Sequence, residues 1–266
     1  MLLADAFSHV LDTNTWEIFP TQDIEWHLPF GLTKYKLLLL LAALVIVAIY
    51  VPLARRAQNG TAPVGKWWNC WESILTYIRE ELAKPYIGHD ADQYVHYLWT
   101  TFLFILFCNL FGLIPFLGSP TASFTVTAVL AACTFCFIHG SAIAKMGVKH
   151  YFQSYLPHID VPFGMGYVIV PMIAVIEFLG NFIKAFVLAV RLFANIFAGH
   201  VVLATILFFI EEAKNSVPLL FWGVTITSVL SVTALSLLEL FVAFLQAFVF
   251  TFLTALFLGS TLHPQH

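Results

Sequence analysis

Charge is scarce in this chain, which has only 12 lysines and arginines and 15 aspartates and glutamates among 266 residues. The formal net charge of -3 is small, and no cluster of basic residues suggests a nucleic-acid partner. Hydrophobic residues instead make up 60% of the chain, and aromatic residues account for 16%. This composition is far more apolar than that of a soluble domain and predicts a protein that crosses the membrane several times.

Cysteine is also rare, and the four cysteines form no complete metal-binding motif. Cys133 and Cys136 are one helical turn apart, but further ligands are missing nearby, so we interpret them as packing residues. No His-Glu-x-x-His motif occurs, and we predict neither a metal nor a cofactor. The first twenty residues are acidic and do not resemble a signal peptide, so we expect the first span to be retained.

Long apolar runs predict an all-α fold, a single membrane domain with about five membrane-crossing helices. The first segments are an external N-terminal segment at 1–36, a span at 37–53, an interfacial amphipathic helix at 66–85 and a helix hairpin at 97–144. The remaining stretch, residues 163–262, contains two apolar blocks that are too long for upright spans. Because turn signals inside these blocks are weak, we expect them to form a long tilted helix hairpin.

Basic residues are distributed unevenly between the two sides of the predicted spans. The larger set consists of Arg55, Arg56, Lys66, Arg79, Lys84, Lys145 and Lys149. The smaller set consists of Lys34, Lys36 and Lys214. By the positive-inside rule, we expect the N-terminus outside and the C-terminus in the cytoplasm.

Arg191 is the most informative polar residue because it lies in one of the most apolar parts of the chain. A guanidinium stays protonated in proteins, and its placement in mid-bilayer costs about 2.5–3.5 kcal/mol on insertion scales. At about 100° per residue, four further polar residues fall within roughly 80° of Arg191 on the same helix. They are Glu177, Asn181, Lys184 and Asn195. Such a polar face within the membrane predicts an ion path.

Titratable groups occur on both sides of this fixed charge. His200 lies nine residues beyond Arg191, and Glu239 and Gln246 are seven residues apart on one face of the last helix. Glu177, His200 and Glu239 can exchange protons, whereas Arg191 cannot. A fixed positive charge between such groups would repel a proton but attract a carboxylate and cause it to release its proton.

Three other interpretations stay open on these residues alone. In the first, Arg191 and Lys184 form structural ion pairs with Glu177 and Glu239. In the second, Arg191 binds the anionic substrate of a secondary transporter, although we see no internal repeat. The third is a membrane-embedded metal enzyme that uses His139, His150, His158 or His200.

Residues 191–200, with the sequence RLFANIFAGH, resemble the signature segment of subunit a of the F-type ATP synthase. Residues 109–115 (NLFGLIP) and 245–250 (LQAFVF) are similar to two other motifs of that family. The three motifs occur in the family order, and the resemblance covers most of residues 70–262. It implies a non-catalytic stator subunit of a rotary proton channel.

In that family, two offset half-channels meet a ring of c subunits, each of which carries one carboxylate. The resemblance implies that Arg191 prevents a short circuit between the half-channels. His200, Glu239, Asn195 and Gln246 would belong to the half-channel that opens to the outside. The histidine and the glutamate are exchanged here relative to some bacterial members.

Glu177, with Asn181 and Lys184 nearby, would belong to the cytoplasmic exit. The implied partners are the c-subunit ring, the peripheral-stalk b subunits, the remainder of the F1Fo complex and the lipid bilayer. The acidic leader favours a bacterial plasma (inner) membrane, with the mitochondrial inner membrane as the alternative. Ser123 and Thr125 stand where many members have aspartate and asparagine, so the role of that aspartate does not carry over.

Overall fold

The computed structural model describes residues 15–17, 25–27, 33–58, 65–114, 117–154, 166–214 and 218–262. The α-helices in this part of the chain are α1 (Lys34–Gln58), α2 (Lys66–Tyr77), α3 (Lys84–Ile87), α4 (Ala91–Leu113), α5 (Phe124–Met146), α6 (Val148–Ser154), α7 (Gly166–Ala213) and α8 (Pro218–Leu262). Five helical stretches among the described residues are long and apolar enough to cross a membrane. The predicted all-α, multi-span class is therefore confirmed.

A short antiparallel ladder precedes α1 and is not predicted by the sequence pattern. Strand β1 (Thr15–Glu17) pairs with β2 (Glu25–His27), with Thr15 opposite His27. The rest of the N-terminal segment predicted for residues 1–36 lies largely outside the described residues. Its position outside the membrane stays a prediction.

The helix predicted for residues 66–85 begins at Lys66 and continues through a π-helical turn, Ile78–Ala83, into α3. Pro85 does not end it, because it lies in the first turn of α3, where its missing N–H costs little. The chain leaves α3 at Gly88, whose φ of 76° favours glycine. One face of this helical stretch is buried, and its members include Trp71, Leu75, Ile78 and Leu82. This buried face agrees with the predicted amphipathic pattern, although Trp67 at the start of the stretch is exposed. The interfacial location stays a prediction.

Helices α4 and α5 form the two arms of the hairpin predicted for residues 97–144. The connection turns at Gly118, whose φ is 75°, and contains a short 3-10 helix, Pro120–Ala122. The side chains of Cys133 and Cys136 on α5 are exposed, so their interpretation as packing residues is wrong for this isolated chain.

Helices α7 and α8 are continuous over 48 and 45 residues. The expectation that neither apolar block divides into two spans is therefore confirmed, whereas the tilt stays a prediction. Their glycines do not break them, because in lipid an α-helix satisfies its backbone N–H and C=O groups within itself. Many large side chains on these helices are exposed, including Phe178, Phe182, Phe186, Leu237 and Phe241.

The chain divides into two compact units. Unit 1 consists of Met1–Pro52, Leu103–Thr127 and Arg191–Phe248. Unit 2 consists of Leu53–Phe102, Ala128–Val190 and Val249–His266. The eight polar residues singled out by the sequence fall into both units, and each group is described by itself below.

Candidate functional site

Arg191 is the first residue of α7 that belongs to unit 1. The side chains of Leu192 and Ile196 on this part of α7 are buried, which defines the inward face of the helix. Arg191, Ala194 and Ala198 are exposed and lie on a different face. Among the described residues, Arg191 forms no ion pair and no hydrogen bond. An unpaired guanidinium therefore lies on the outer surface of a membrane-spanning helix, next to small side chains that let another molecule approach.

The structural ion pairs considered for Arg191 and Lys184 are absent from the part of the chain that the structure describes. The salt bridges found there instead connect Arg79 with Asp92, Lys84 with Glu80, Lys145 with Asp90 and Lys214 with Glu211. Neither Glu177 nor Glu239 takes part in one of them. The interpretation of the intramembrane charges as helix-to-helix ion pairs is therefore not supported.

Asn195 and Gln246 connect α7 with α8 inside unit 1. Asn195 Nδ2 donates a hydrogen bond to Gln246 Oε1 over 3.0 Å. Gln246 is only 1% exposed, and its Nε2 has no hydrogen-bond partner among the described residues. A buried amide donor without a partner costs about 1–3 kcal/mol, so Gln246 Nε2 is poised to bind a water molecule or another acceptor.

Glu239 lies against the backbone of α7 at Gly199. A Cβ placed on Gly199 would be 2.0 Å from Glu239 Oε1 and 2.9 Å from its Cδ. Only glycine leaves room for the carboxylate at this point, and the Glu239 side chain is half-buried. The close approach fixes a titratable group of α8 directly beside α7.

His200 lies beside Gly112 of α4. A Cβ placed on Gly112 would be 3.3 Å from His200 Nε2 and 2.6 Å from the Cβ of Ser119. The imidazole is half-buried. Unit 1 thus contains His200 and Asn195 on α7 and Glu239 and Gln246 on α8. These are the four residues that the family resemblance groups in one half-channel.

A buried polar network, which the sequence pattern does not predict, lies in the same unit. Thr121 Oγ1 donates to Asn109 Oδ1 over 2.8 Å, and Asn109 Nδ2 donates to the carbonyl oxygen of Ala243 over 3.4 Å. Ser119 Oγ lies 2.7 Å from Thr121 Oγ1 and 3.2 Å from the carbonyl oxygen of Cys108. Asn109, Ser119 and Thr121 are each buried. The network attaches the α4–α5 connection to α8 at Ala243, between the turns that carry Glu239 and Gln246.

The sequence marks Asn109 only as part of a family motif and does not predict its contacts. Its signal is a lone amide in an apolar span, which is usually hydrogen-bonded to a neighbouring helix. The partner is not readable from the sequence, because Asn109 and Ala243 are 134 residues apart.

In unit 2, Glu177, Asn181 and Lys184 occupy successive turns of α7. Lys184 Nζ donates to Asn181 Oδ1 over 3.1 Å and lies 5.2 Å from the centre of the Phe257 ring on α8. Glu177 is half-buried and forms no hydrogen bond or ion pair within the described residues. Lys184 is therefore held by an amide and an aromatic face, and it does not neutralise Glu177.

No group of three or more histidine, cysteine, aspartate or glutamate side chains suited to a metal occurs in the described ranges. His158, one of the four histidines considered for a metal enzyme, lies outside them. Nothing in the described structure therefore favours the metal-enzyme interpretation.

Comparison with known proteins decides between the remaining interpretations. A sequence profile described as ATP synthase A chain matches residues 36–259. The chain belongs to the ATP synthase A chain family. Several bacterial members are similar to it over most of its length.

The protein named ATP synthase subunit a 2 from Chlorobaculum tepidum is 37% identical, with 97% of this chain and 72% of that protein covered. ATP synthase subunit a from Chloroherpeton thalassium is 35% identical, with 98% and 78% covered. ATP synthase subunit a from Myxococcus xanthus is 36% identical, with 90% and 75% covered.

Membership in the ATP synthase A chain family makes this chain a membrane subunit of the Fo sector that is not itself catalytic. It is a multi-pass bacterial membrane protein and a component of an F1Fo complex. The family resemblance seen in residues 109–115, 191–200 and 245–250 is therefore confirmed.

Proposed function

We infer that this subunit is the proton-channel stator of its ATP synthase and that Arg191 separates two offset half-channels. The observation that carries this proposal is the exposed, unpaired guanidinium on a membrane-spanning helix. Exposure to lipid would cost about 2.5–3.5 kcal/mol or more, so the guanidinium needs a partner outside this chain. A carboxylate carried by a neighbouring membrane protein supplies the matching charge.

That partner, in our proposal, is a ring of c subunits with one carboxylate each. Opposite Arg191, a ring carboxylate is stabilised in its charged form and releases its proton. The exposed alanines Ala194 and Ala198 lie on the Arg191 face and let a neighbouring helix approach closely. Because a guanidinium does not give up its proton, no proton crosses directly from one half-channel to the other.

The outer half-channel is assigned to unit 1. Glu239 and His200 are half-buried groups that exchange protons, and histidine does so near neutral pH. The Asn195–Gln246 hydrogen bond and the unpartnered Gln246 Nε2 supply polar positions for water between them and Arg191. Ring carboxylates would receive protons from this side.

The cytoplasmic half-channel is assigned to unit 2, where Glu177, Asn181 and Lys184 follow one another along α7. This assignment depends on the positive-inside orientation, with the N-terminus outside and the C-terminus in the cytoplasm. Peripheral-stalk b subunits are the other proposed partners, and a bacterial plasma membrane is the proposed location.

The decisive experiment is the substitution Arg191→Ala in the F1Fo complex reconstituted into vesicles. Loss of the fixed charge should abolish ATP synthesis driven by a proton gradient, while the complex still assembles with its c ring. Lys214→Ala is the matched control, because Lys214 is an exposed cation that pairs only with Glu211 at 2.6 Å among the described contacts. Normal ATP synthesis by the Arg191→Ala complex would show that Arg191 is not the barrier.

The same preparation addresses the carried ion and the proposed ring partner. Flux measured with sodium present and absent tells protons from sodium ions. The proposed stator should co-purify with a small ring-forming protein, and its purification without one would contradict the proposed partner.

A further inference from the structure

A small cavity lies in unit 2 beside the residues already assigned to the cytoplasmic half-channel. Its volume is about 20 Å³, and α5, α7 and α8 line it. A water molecule needs roughly 10–15 Å³ of such space and two to four polar partners. The polar side chains in the wall are Thr134, His139, Asn181, Lys184 and Thr261. The cavity therefore has the size and the lining for one water molecule.

His139 is the one wall residue that can both accept and donate a proton near neutral pH. Its Nδ1 lies 2.6 Å from the hydroxyl oxygen of Tyr151 on α6. Its Nε2 has no hydrogen-bond partner among the described residues. The Phe135 ring packs edge-on at 4.0 Å between ring centres, which restricts the orientation of the imidazole. One nitrogen is thus fixed to a tyrosine, and the other is free for the cavity water.

The charge next to His139 disfavours a protonated imidazole. Lys184 faces the cavity from α7, held by Asn181 at 3.1 Å, and its ammonium group repels a second positive charge. Tyr151 is the titratable neighbour on α6, and Tyr97 on α4 reaches the wall through Thr134. The α8 residues in the wall carry no charge. The ammonium group of Lys184 therefore disfavours a long-lived charged state of His139.

We propose that His139 and Tyr151 relay protons between this cavity and the cytoplasmic side, as an extension of the exit path proposed above, on which this inference rests. A hydrated proton in the cavity gives its proton to Nε2 of His139. The Nδ1 proton then passes to the Tyr151 oxygen, as the phenolic proton of Tyr151 leaves to water. One proton enters and one leaves, and His139 is left as its Nε2–H tautomer. The imidazole returns to the Nδ1–H tautomer before it accepts the next proton.

The test measures passive proton flux through the reconstituted complex after removal of the F1 sector, as a function of pH. His139→Gln keeps a hydrogen-bonding side chain that cannot titrate, His139→Phe keeps a flat ring, and Tyr151→Phe removes only the hydroxyl. Cys136→Ala, at an exposed position one turn away on α5, is the matched control. Co-purification of the c ring confirms assembly of each variant.

We expect each relay variant to lower the flux about tenfold. This is less than the roughly 10²–10⁴ typical of a positioned acid or base, because water in the cavity replaces part of the relay. The two His139 variants should also lose the wild-type fall in flux as pH rises through the range where histidine titrates, between about pH 5 and 8. A purely structural role would lower the amount of complex without changing this profile.

Two results would overturn the relay. One is a pH profile of His139→Gln that matches the wild type, and the other is a Tyr151→Phe complex with wild-type flux. Arg191→Ala, measured alongside, keeps the two proposals distinct. If Arg191→Ala abolishes coupled synthesis while the His139 variants behave like wild type, the relay proposal is wrong and the proposed role of Arg191 stands.

Discussion

The contact between Gly199 and Glu239 leads to a sharp prediction for Gly199→Ala. The added methyl carbon would lie 2.0 Å from Glu239 Oε1, whereas ordinary contacts begin at 3.4 Å, so the carboxylate has to retreat by about 1.4 Å. The obstructing atoms belong to the end of a flexible side chain. The helix pair can therefore persist, at a cost of about 0.5–1.5 kcal/mol for a strained rotamer.

A displacement of about 1 Å in a reacting group commonly lowers a rate about 100-fold. We therefore expect Gly199→Ala to reduce proton flux about 10- to 100-fold in an assembled complex. The assay is ATP-driven proton pumping in vesicles, normalised to the amount of complex. Gly223→Ala is the control in the same unit, because a Cβ at Gly223 meets nothing within 4 Å.

A second comparison tests whether the effect passes through the carboxylate. In a Glu239→Gln background, which already removes the titratable group, Gly199→Ala should have little further effect on flux. Equal flux in Gly199→Ala, Gly223→Ala and wild type would refute the reasoning. So would a full additional loss of flux in the double variant.

Three further substitutions have expected outcomes. Gly259→Ala would place a methyl carbon 1.9 Å from the backbone oxygen of Tyr86, which cannot move aside, so the thermal stability and yield of the complex should fall steeply. Asn109→Leu removes two buried hydrogen bonds and should lower the melting temperature by an amount equivalent to about 1 kcal/mol, as measured by thermal unfolding of the purified complex. Gln246→Leu removes the acceptor of the Asn195 hydrogen bond and should slow passive proton flux with little change in assembly.

Each of these has a comparison that would contradict it. Gly140→Ala is the control for Gly259→Ala, because a Cβ there has open space, and equal stability of the two variants would contradict the close contact. A melting temperature for Asn109→Leu at the wild-type value would mean that the network contributes nothing. Wild-type proton flux in Gln246→Leu would show that Gln246 is not part of the proposed half-channel.

The helices of this fold were predictable because lipid makes apolar length a direct signal. An apolar run without strong turn residues has to stay helical in a membrane, so α7 and α8 could be recognised as undivided. The short strands before α1 and the π-helical turn Ile78–Ala83 were not predictable, since both depend on local hydrogen bonding that no apolar pattern records.

The polar residues of the site could be predicted from the sequence because polar groups are energetically unfavourable in lipid. Arg191, Glu239 and Gln246 stand out because polar groups are rare within membrane spans and usually have a functional role there. Their partners were not readable. The sequence allows Lys184 to pair with Glu177, yet its amine binds Asn181 and lies over Phe257.

The close contacts at Gly199 and Gly259 could not be predicted from the sequence for a different reason. A glycine in a span often serves only as a small residue, and Gly180 and Gly223 indeed have open space where a Cβ would lie. Gly199 and Gly259 share the same local pattern but meet a carboxylate and a carbonyl. Only the three-dimensional packing separates the two kinds.

The attachment of Asn109 to Ala243 has a mechanical consequence. If the ring of the proposed function turns against this subunit, each step pushes sideways on α8. Apolar packing in lipid gives little resistance to such a force, because lipid tails are as apolar as the helices. Asn109 donates to the main chain of α8 at Ala243, so recoil of this helix under torque would first have to break this buried hydrogen bond. The proposed stator would then keep Glu239 and Gln246 in place under load through a hydrogen bond whose acceptor is a backbone carbonyl group.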